Sequence, residues 1–356
     1  MSILFRHVAR EVLRSTLVTL LALTALITFF DMIGELRDTH TDTYQAGQAM
    51  LVVALNTPSR LYELFQVSIL IGGLFAWNRL SLSSEFSVMR TGGLSAQRLC
   101  AWMVGIGLAF GGAGMLVGEY VAPHGESLAQ QLKLKATSGV VAQKFQTGLW
   151  AKDGPTFINI GEVLSSPGLV DVRLYDFDAD FRLTHIRRAR TADWRNGNWL
   201  LHQVSETTVD EKAVTTRQLP DQTWHSAITP DLLAVLMIEP QHMPIATLQT
   251  YIRHLESNHQ EAGRYRAALW NKLVFPAAGP VMLLMALAFA YHPPRSGGVG
   301  GRLLLGVMLG LAFYLLSRLS GQTAQLQGLS APAAAALPVV MFSLAAMLAV
   351  WWQERR

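Results

Sequence analysis

One cysteine, Cys100, stands in 356 residues, so no intramolecular disulfide can brace the chain. Any domain in an oxidising compartment must then hold by its own core. Charge is also scarce: 15% of residues are Asp, Glu, Lys or Arg against 51% apolar, which argues against an ordinary soluble enzyme. No G-x-x-x-x-G-K-[ST] occurs, which excludes a P-loop for ATP. The glycine cluster Gly297-Gly-Val-Gly-Gly301 has neither that lysine nor a preceding strand, and reads as a flexible turn. His254 and His259 are five apart with Glu256 misplaced for H-E-x-x-H, so surface histidines describe them better than a zinc site. Ser95 lacks the second glycine of a nucleophile elbow. No acid, base and nucleophile come together, so no catalytic, metal-binding or cofactor-binding residue is expected, and no cofactor.

What the chain does have is a split membrane pattern. Uncharged runs cover Ser15–Phe30, Leu64–Asn78, Leu99–Gly118, Leu273–Ala290, Leu303–Ser317 and Ala333–Trp352. Each reaches spanning length once flanking side chains snorkel. The expected fold is an α-helical membrane protein with six transmembrane helices, three plus three, and an inserted extracytoplasmic β-jellyroll-like domain. Arg6, Arg10 and Arg14, then Arg79, Arg90 and Arg98, then Arg295 and Arg302, then Arg355 and Arg356 mark one side as cytoplasmic. Both termini then lie inside and the insert outside. The first apolar run is followed by Asp31-Met-Ile-Gly-Glu35 with no small-residue cleavage site, so it reads as a retained helix.

The expected divisions are 1–120 for the first three spans with a cytoplasmic helix at about 79–98, 121–243 for the β domain, 244–265 for an amphipathic connecting helix and 266–356 for the last three spans. Within the insert, Thr156–Ile160 and Val172–Phe177 alternate, and Asp178-Ala-Asp180 separates the latter from Arg182–Ile186 as a hairpin turn would. Asn196-Gly197 between Trp194 and Trp199 is a stronger hairpin signal, because a type I′ turn needs positive φ at both central positions. Thr229-Pro230-Asp231 reads as a helix start. Ile245, Leu248, Ile252 and Leu255 recur at helical spacing. Small-residue spacings at Gly107/Gly111, Gly114/Gly118 and Gly306/Gly310 permit close helix contacts, which internal packing explains best.

Two charged features invite function. Asp31, Arg60, Glu63, Glu119, Lys272 and Arg318 fall at the outer ends of their spans, with Arg37, Lys133 and Lys135 just beyond. A cationic rim of Arg37, Arg60, Lys133, Lys135, Lys272 and Arg318 suits the phosphates of an outer-leaflet lipid; snorkelling anchors and structural ion pairs are the alternative. Between the second and third spans, Ser84–Gly92 forms a short helix-capable segment with a serine N-cap and a Gly92-Gly93 stop. It fits either a partner's groove or the membrane interface.

The ordered motifs Phe29-Phe-Asp31, Glu85-x-x-Val-Met89-x-x-x-Gly93, Gly118-Glu-Tyr-Val-Ala-Pro123-x-Gly125-Glu126, Gly148-Leu-Trp-Ala-Lys-Asp-Gly154, Ala262-Gly-Arg-Tyr265 and Trp270-x-Lys272 carry a resemblance. Through them the chain resembles the YjgP/YjgQ (LptF/LptG) family of bacterial permeases, over its whole length. The resemblance implies a non-enzymatic half-transporter in the bacterial inner membrane. Such a subunit extracts lipopolysaccharide from the outer leaflet of that membrane and passes it to a periplasmic bridge for export. Its implied partners are an LptF-like six-span subunit, an LptB-like ATPase dimer that supplies the hydrolysis, an LptC-like single-span protein and an LptA-like bridge. Glu85, Phe86, Met89 and Arg90 fall on the family's ATPase-coupling helix. Relatives can carry a lysine one turn before the aspartate, where this chain has Thr28. A second reading is a membrane scaffold that recruits periplasmic partners through its β domain, which would need no charges gathered at several span ends.

Overall fold

The computed structural model describes residues 2–37, 44–137, 149–163, 168–178, 180–209, 213–226, 228–230, 240–258, 260–289, 299–327 and 330–354. Helices α1 (Ser2–Arg37), α2 (Ala46–Leu82), the short α3 (Glu85–Thr91) and α4 (Ala96–Leu116) come first. α4 does not stop with its apolar run; it continues through a π turn, Val117–Val121, into α5 (Ala122–Thr137). After the β strands come a 3-10 turn (Pro240–His242), α6 (Ile245–Ser257), α7 (Gly263–Ala288), α8 (Val299–Gln327) and α9 (Ala331–Glu354). The fourth long helix thus starts at Gly263, ahead of the expected 266. The expected helix start at Thr229-Pro230-Asp231 runs into 231–239, which lie outside the described residues.

Among the described residues four helices are long and apolar enough to cross a membrane: α1, the joined α4 and α5, α7 and α9. α8 contributes the shorter apolar stretch Leu304–Ser320 among the described residues. α2 has the length but carries Arg60 and Glu63. Its Ile69, Leu70 and Ala76 are also fully buried, and a helix covered by other helices need not present an apolar surface to lipid.

The bundle is built on close backbone contact between α4 and α7. A Cβ on Gly107 would overlap the backbone of Pro280, one on Gly111 the backbone of Pro276, and one on Gly279 the carbonyl of Gly107. The carbonyl of Pro276 would ordinarily accept the N–H of residue 280, but that residue is proline and has none. It faces Gly111 instead, a place for a weak Cα–H···O contact. Gly114 meets Phe275 and Phe65, and Gly310 meets Val67 and Leu70, so these small-residue motifs serve internal packing.

The β domain is one antiparallel sheet. Strands β1 (Leu149–Asp153), β2 (Thr156–Val163), β3 (Gly168–Phe177), β4 (Leu183–Arg195), β5 (Asn198–Val209) and β6 (Val214–Leu219) are hydrogen-bonded in sequence order, and β7 (Gln222–Trp224) returns to β5. Among the described strands the connections are those of a meander. Asn196 and Gly197 take φ of 50° and 82° and close β4 onto β5 through the pair Arg195↔Asn198, as the type I′ signal required. At the other hairpin, the Asp178 carboxylate accepts from the N–H groups of Asp180 and Arg182 at 2.9 and 2.8 Å, an Asx-type turn. One face buries Ile158, Ile160, Leu174, Leu201 and Trp199. The indole N–H of Trp199 donates to Ile228 O at 2.7 Å, so the largest buried side chain of the domain is also satisfied.

Candidate functional site

At the β-domain end of the bundle the charges expected from sequence gather into three clusters. The first surrounds Lys272 on α7, whose side chain is 4% exposed. Its Nζ donates to Gly118 O at 3.0 Å, to Met243 O at 2.6 Å and to Glu119 Oε2 at 3.1 Å, which uses all three ammonium donors. The free carbonyl has a local origin. Pro123 offers no N–H and would clash with the carbonyl four residues back, so the helix widens to a π turn in which Ala122 N–H donates to Val117 O. Gly118 O is then left without a helical donor, and Lys272 takes it. The other oxygen of Glu119 accepts the N–H of Ile245, the first residue of α6, at 2.7 Å.

The second cluster was not foreseen from sequence. His242 is buried between two carboxylates, with Nε2 3.1 Å from Glu63 and Nδ1 3.0 Å from Glu126. Burial works against its charge, but the hydrogen bonds to Glu126 and Glu63 outweigh it and raise the imidazole to about 9. Glu63 also meets Arg60 at 3.1 Å, and Arg60 reaches Asp31 of α1 at 2.7 Å. Glu63 at a span end and Glu126 in its motif stand out in the sequence, but nothing at Pro240–Pro244 singles out His242. Because its folded-state pKa is raised, the stabilisation is complete below the unfolded value of about 6.5 and fades as pH rises through about 9. His242→Gln is expected to remove that pH dependence and to cost on the order of 3 kcal/mol near pH 7. Melting curves of the detergent-purified protein between pH 6 and 10 would show it; parallel curves for native and variant would refute it.

The third cluster joins Lys133 to Glu35 at 2.6 Å, with Glu35 also accepting from Tyr44. Arg318 on α8 is exposed and donates to the Tyr314 hydroxyl at 3.1 Å, with no carboxylate paired to it among the described residues. Arg37 ends α1 exposed, and the side chain of Lys135 lies outside the described residues. The rim is therefore uneven. Arg60 and Lys133 are partly open beside carboxylates, Arg318 is open, and Lys272 is consumed inside the fold.

Between α2, α7, α8 and α9 lies a cleft of about 140 Å³ whose wall runs from Arg318, His242 and Asn271 to the apolar Phe275, Phe313 and Val339. A polar recess of about 250 Å³ adjoins it, lined by Asn56, Arg60, His242, Tyr314 and Arg318. Cations and amides thus sit over an apolar wall.

At the opposite end, α3 is tied down. Glu85 accepts from His7 of α1 at 2.7 Å and from Ser83 Oγ at 2.9 Å, and these bonds, the one from His7 first, hold its carboxyl below the usual range. Ser84 precedes the helix at φ 60° without a side-chain cap. Gly92 and Gly93 end it in a Schellman arrangement, Leu94 N–H to Met89 O and Gly93 N–H to Arg90 O, both 3.1 Å. Phe86 and Met89 turn into the bundle, Phe86 edge-on to Trp77 at 5.7 Å. They are anchors, and the outward face is Ser87, Val88 and Thr91 beside Glu85.

Long apolar helices around an amphipathic cleft, with a β domain inserted between two sets of them, define a polytopic membrane permease subunit. The chain belongs to the lipopolysaccharide export system permease LptF/LptG family, whose model matches residues 6–353. It is similar to the lipopolysaccharide export system permease protein LptG of Escherichia coli K12, 31% identical over 99% of this chain and 98% of the relative. It is likewise similar to the LptG of Haemophilus influenzae, 28% identical over 98% and 96%.

Proposed function

We propose that this chain is the LptG-type half of a two-permease exporter that lifts lipopolysaccharide from the outer leaflet of the inner membrane and hands it to a periplasmic bridge. Both termini and α3 face the cytoplasm in this reading, all six long helices span, and the β domain stands in the periplasm. The observation that carries it is the cleft with Arg60, His242 and Arg318 above Phe275, Phe313 and Val339, because an anionic amphiphile needs cations at headgroup depth over an apolar wall. At about 140 Å³ that cleft is far too small for a lipid with several acyl chains. The chamber must be completed elsewhere, and the exposed apolar faces of α1 (Leu17, Leu21, Phe29) and α8 (Met308, Leu311, Leu315) supply surface for a homologous LptF-like subunit. An LptC-like helix and an LptA-like bridge complete the assembly.

Without a P-loop the chain draws on an LptB-like ATPase dimer, and α3 is where it docks. Two results test this. The purified chain should show no ATP turnover, which appears only with the ATPase; turnover by the chain alone sinks the reading. Glu85→Lys sets a cation beside His7 and near Arg79, and should strip the ATPase during co-purification while the six-span partner stays bound. Undiminished ATPase recovery in that variant would move the docking surface away from α3.

A further inference from the structure

We propose that Lys272 and Glu119 form the joint that carries movement of the membrane bundle into the β domain, which makes Lys272 a positioning residue for export and not a lipid ligand. This deepens the export reading and rests on it. Lys272 of α7 holds the freed carbonyl of Gly118 in the π turn, and with it Met243 O just before α6. Glu119 takes the N–H of Ile245, which opens α6. His242, gripped by Glu63 and Glu126, secures the same return segment from the side of α2 and α5. Three neighbouring sites, His242, Met243 and Ile245, are thus fastened to α2, α5, α7 and the π turn.

From there the path is continuous. α6 runs to Asn258, whose side-chain oxygen accepts the N–H of Gly154 at 3.0 Å and whose carbonyl accepts from Lys152 Nζ at 3.4 Å. Both of those residues belong to the β1–β2 hairpin. Displacement of the bundle end where Lys272 clamps α7 to the π turn therefore reaches the sheet through hydrogen bonds and one short helix. Pro123 makes the grip rigid, because it forbids the π turn from closing into ordinary helix at Glu119. Stability alone is a poor explanation for the pair, since a buried ion pair gains little over apolar residues of similar volume. What it supplies is a fixed direction for α6.

The test uses the complete complex in lipid nanodiscs. Lys272→Met combined with Glu119→Leu removes both charges together and leaves no single buried ion behind. Spin labels at Met50 on α2 and Arg190 on β4, in a Cys100→Ala background, report the distance between bundle and sheet. The double variant is expected to assemble and to keep basal ATP hydrolysis within about twofold, while the label distances broaden and lipopolysaccharide delivery to the periplasmic acceptor falls roughly fivefold or more. Lys272→Arg, which keeps the charge, should restore a narrow distribution and most of the delivery. Native distances, native delivery, or loss of assembly in the double variant would each overturn the joint. The distance measurement needs no substrate, so a native complex that delivers no lipopolysaccharide would instead sink the export reading.

Discussion

Gly111→Leu is expected to abolish accumulation of the protein in the membrane. The α4 and α7 backbones touch at this point, and a side chain there meets the Pro276 backbone, which cannot move as a flexible side chain would. Overpacking ordinarily costs about 1 to 3 kcal/mol, and a clash between two backbones belongs at or beyond the upper end. Gly107→Leu, against Pro280, should behave alike. The controls lie on the same helix: Gly105 and Gly112 have nothing within 4 Å of an added Cβ, so leucine at either should be tolerated. Quantifying folded protein by size-exclusion after detergent extraction separates the two pairs. Equal yields for Gly111→Leu and Gly112→Leu would show that the helices part without loss.

A combined replacement of Arg60, Lys133 and Arg318 by glutamine is expected to weaken lipopolysaccharide binding more than roughly tenfold, with each single change mild, because exposed charge contributions are small individually and add through the shared field. Basal ATP hydrolysis and assembly should persist, since the docking proposed for α3 is at the other end of the bundle. Lipid photocrosslinking from position 318 should exceed that from Leu337, an exposed position near the same end of α9. Equal crosslinking, or collapse of the complex in the triple variant, would make these residues anchors of the fold.

Much of this architecture was legible in the sequence because its causes are local. The Asn196-Gly197 hairpin follows from the φ signs that two residues tolerate, and the amphipathic α6 from the spacing of Ile245, Leu248, Ile252 and Leu255. The candidate site was legible only as a set of charges at one end of the bundle. Which cation stays open depends on partners far apart in sequence: Lys272 meets Glu119 across 153 positions, and His242 meets Glu63 across 179. No periodicity reports such pairings. Phe86 and Met89 show the same limit, since both suit either side of a short helix and only the packing of the bundle, with Trp77 against Phe86, turns them inward. Pro123 was the overlooked local clue, because a proline inside a helix announces a carbonyl that needs another donor.

The next-neighbour order of the sheet bears on how the chain is made. The chain is made from its N-terminus, and each strand from β2 to β6 finds its partner in the one that emerged just before it. Pairing therefore never waits for a distant segment, and loop-closure entropy stays small at every step. By the time β5 has emerged, the Asn196-Gly197 turn and most of the sheet's apolar face, Trp199 included, are in place; β7 then brings Trp224 against Trp199. With no cysteine in the insert, no disulfide has to form before this domain is complete.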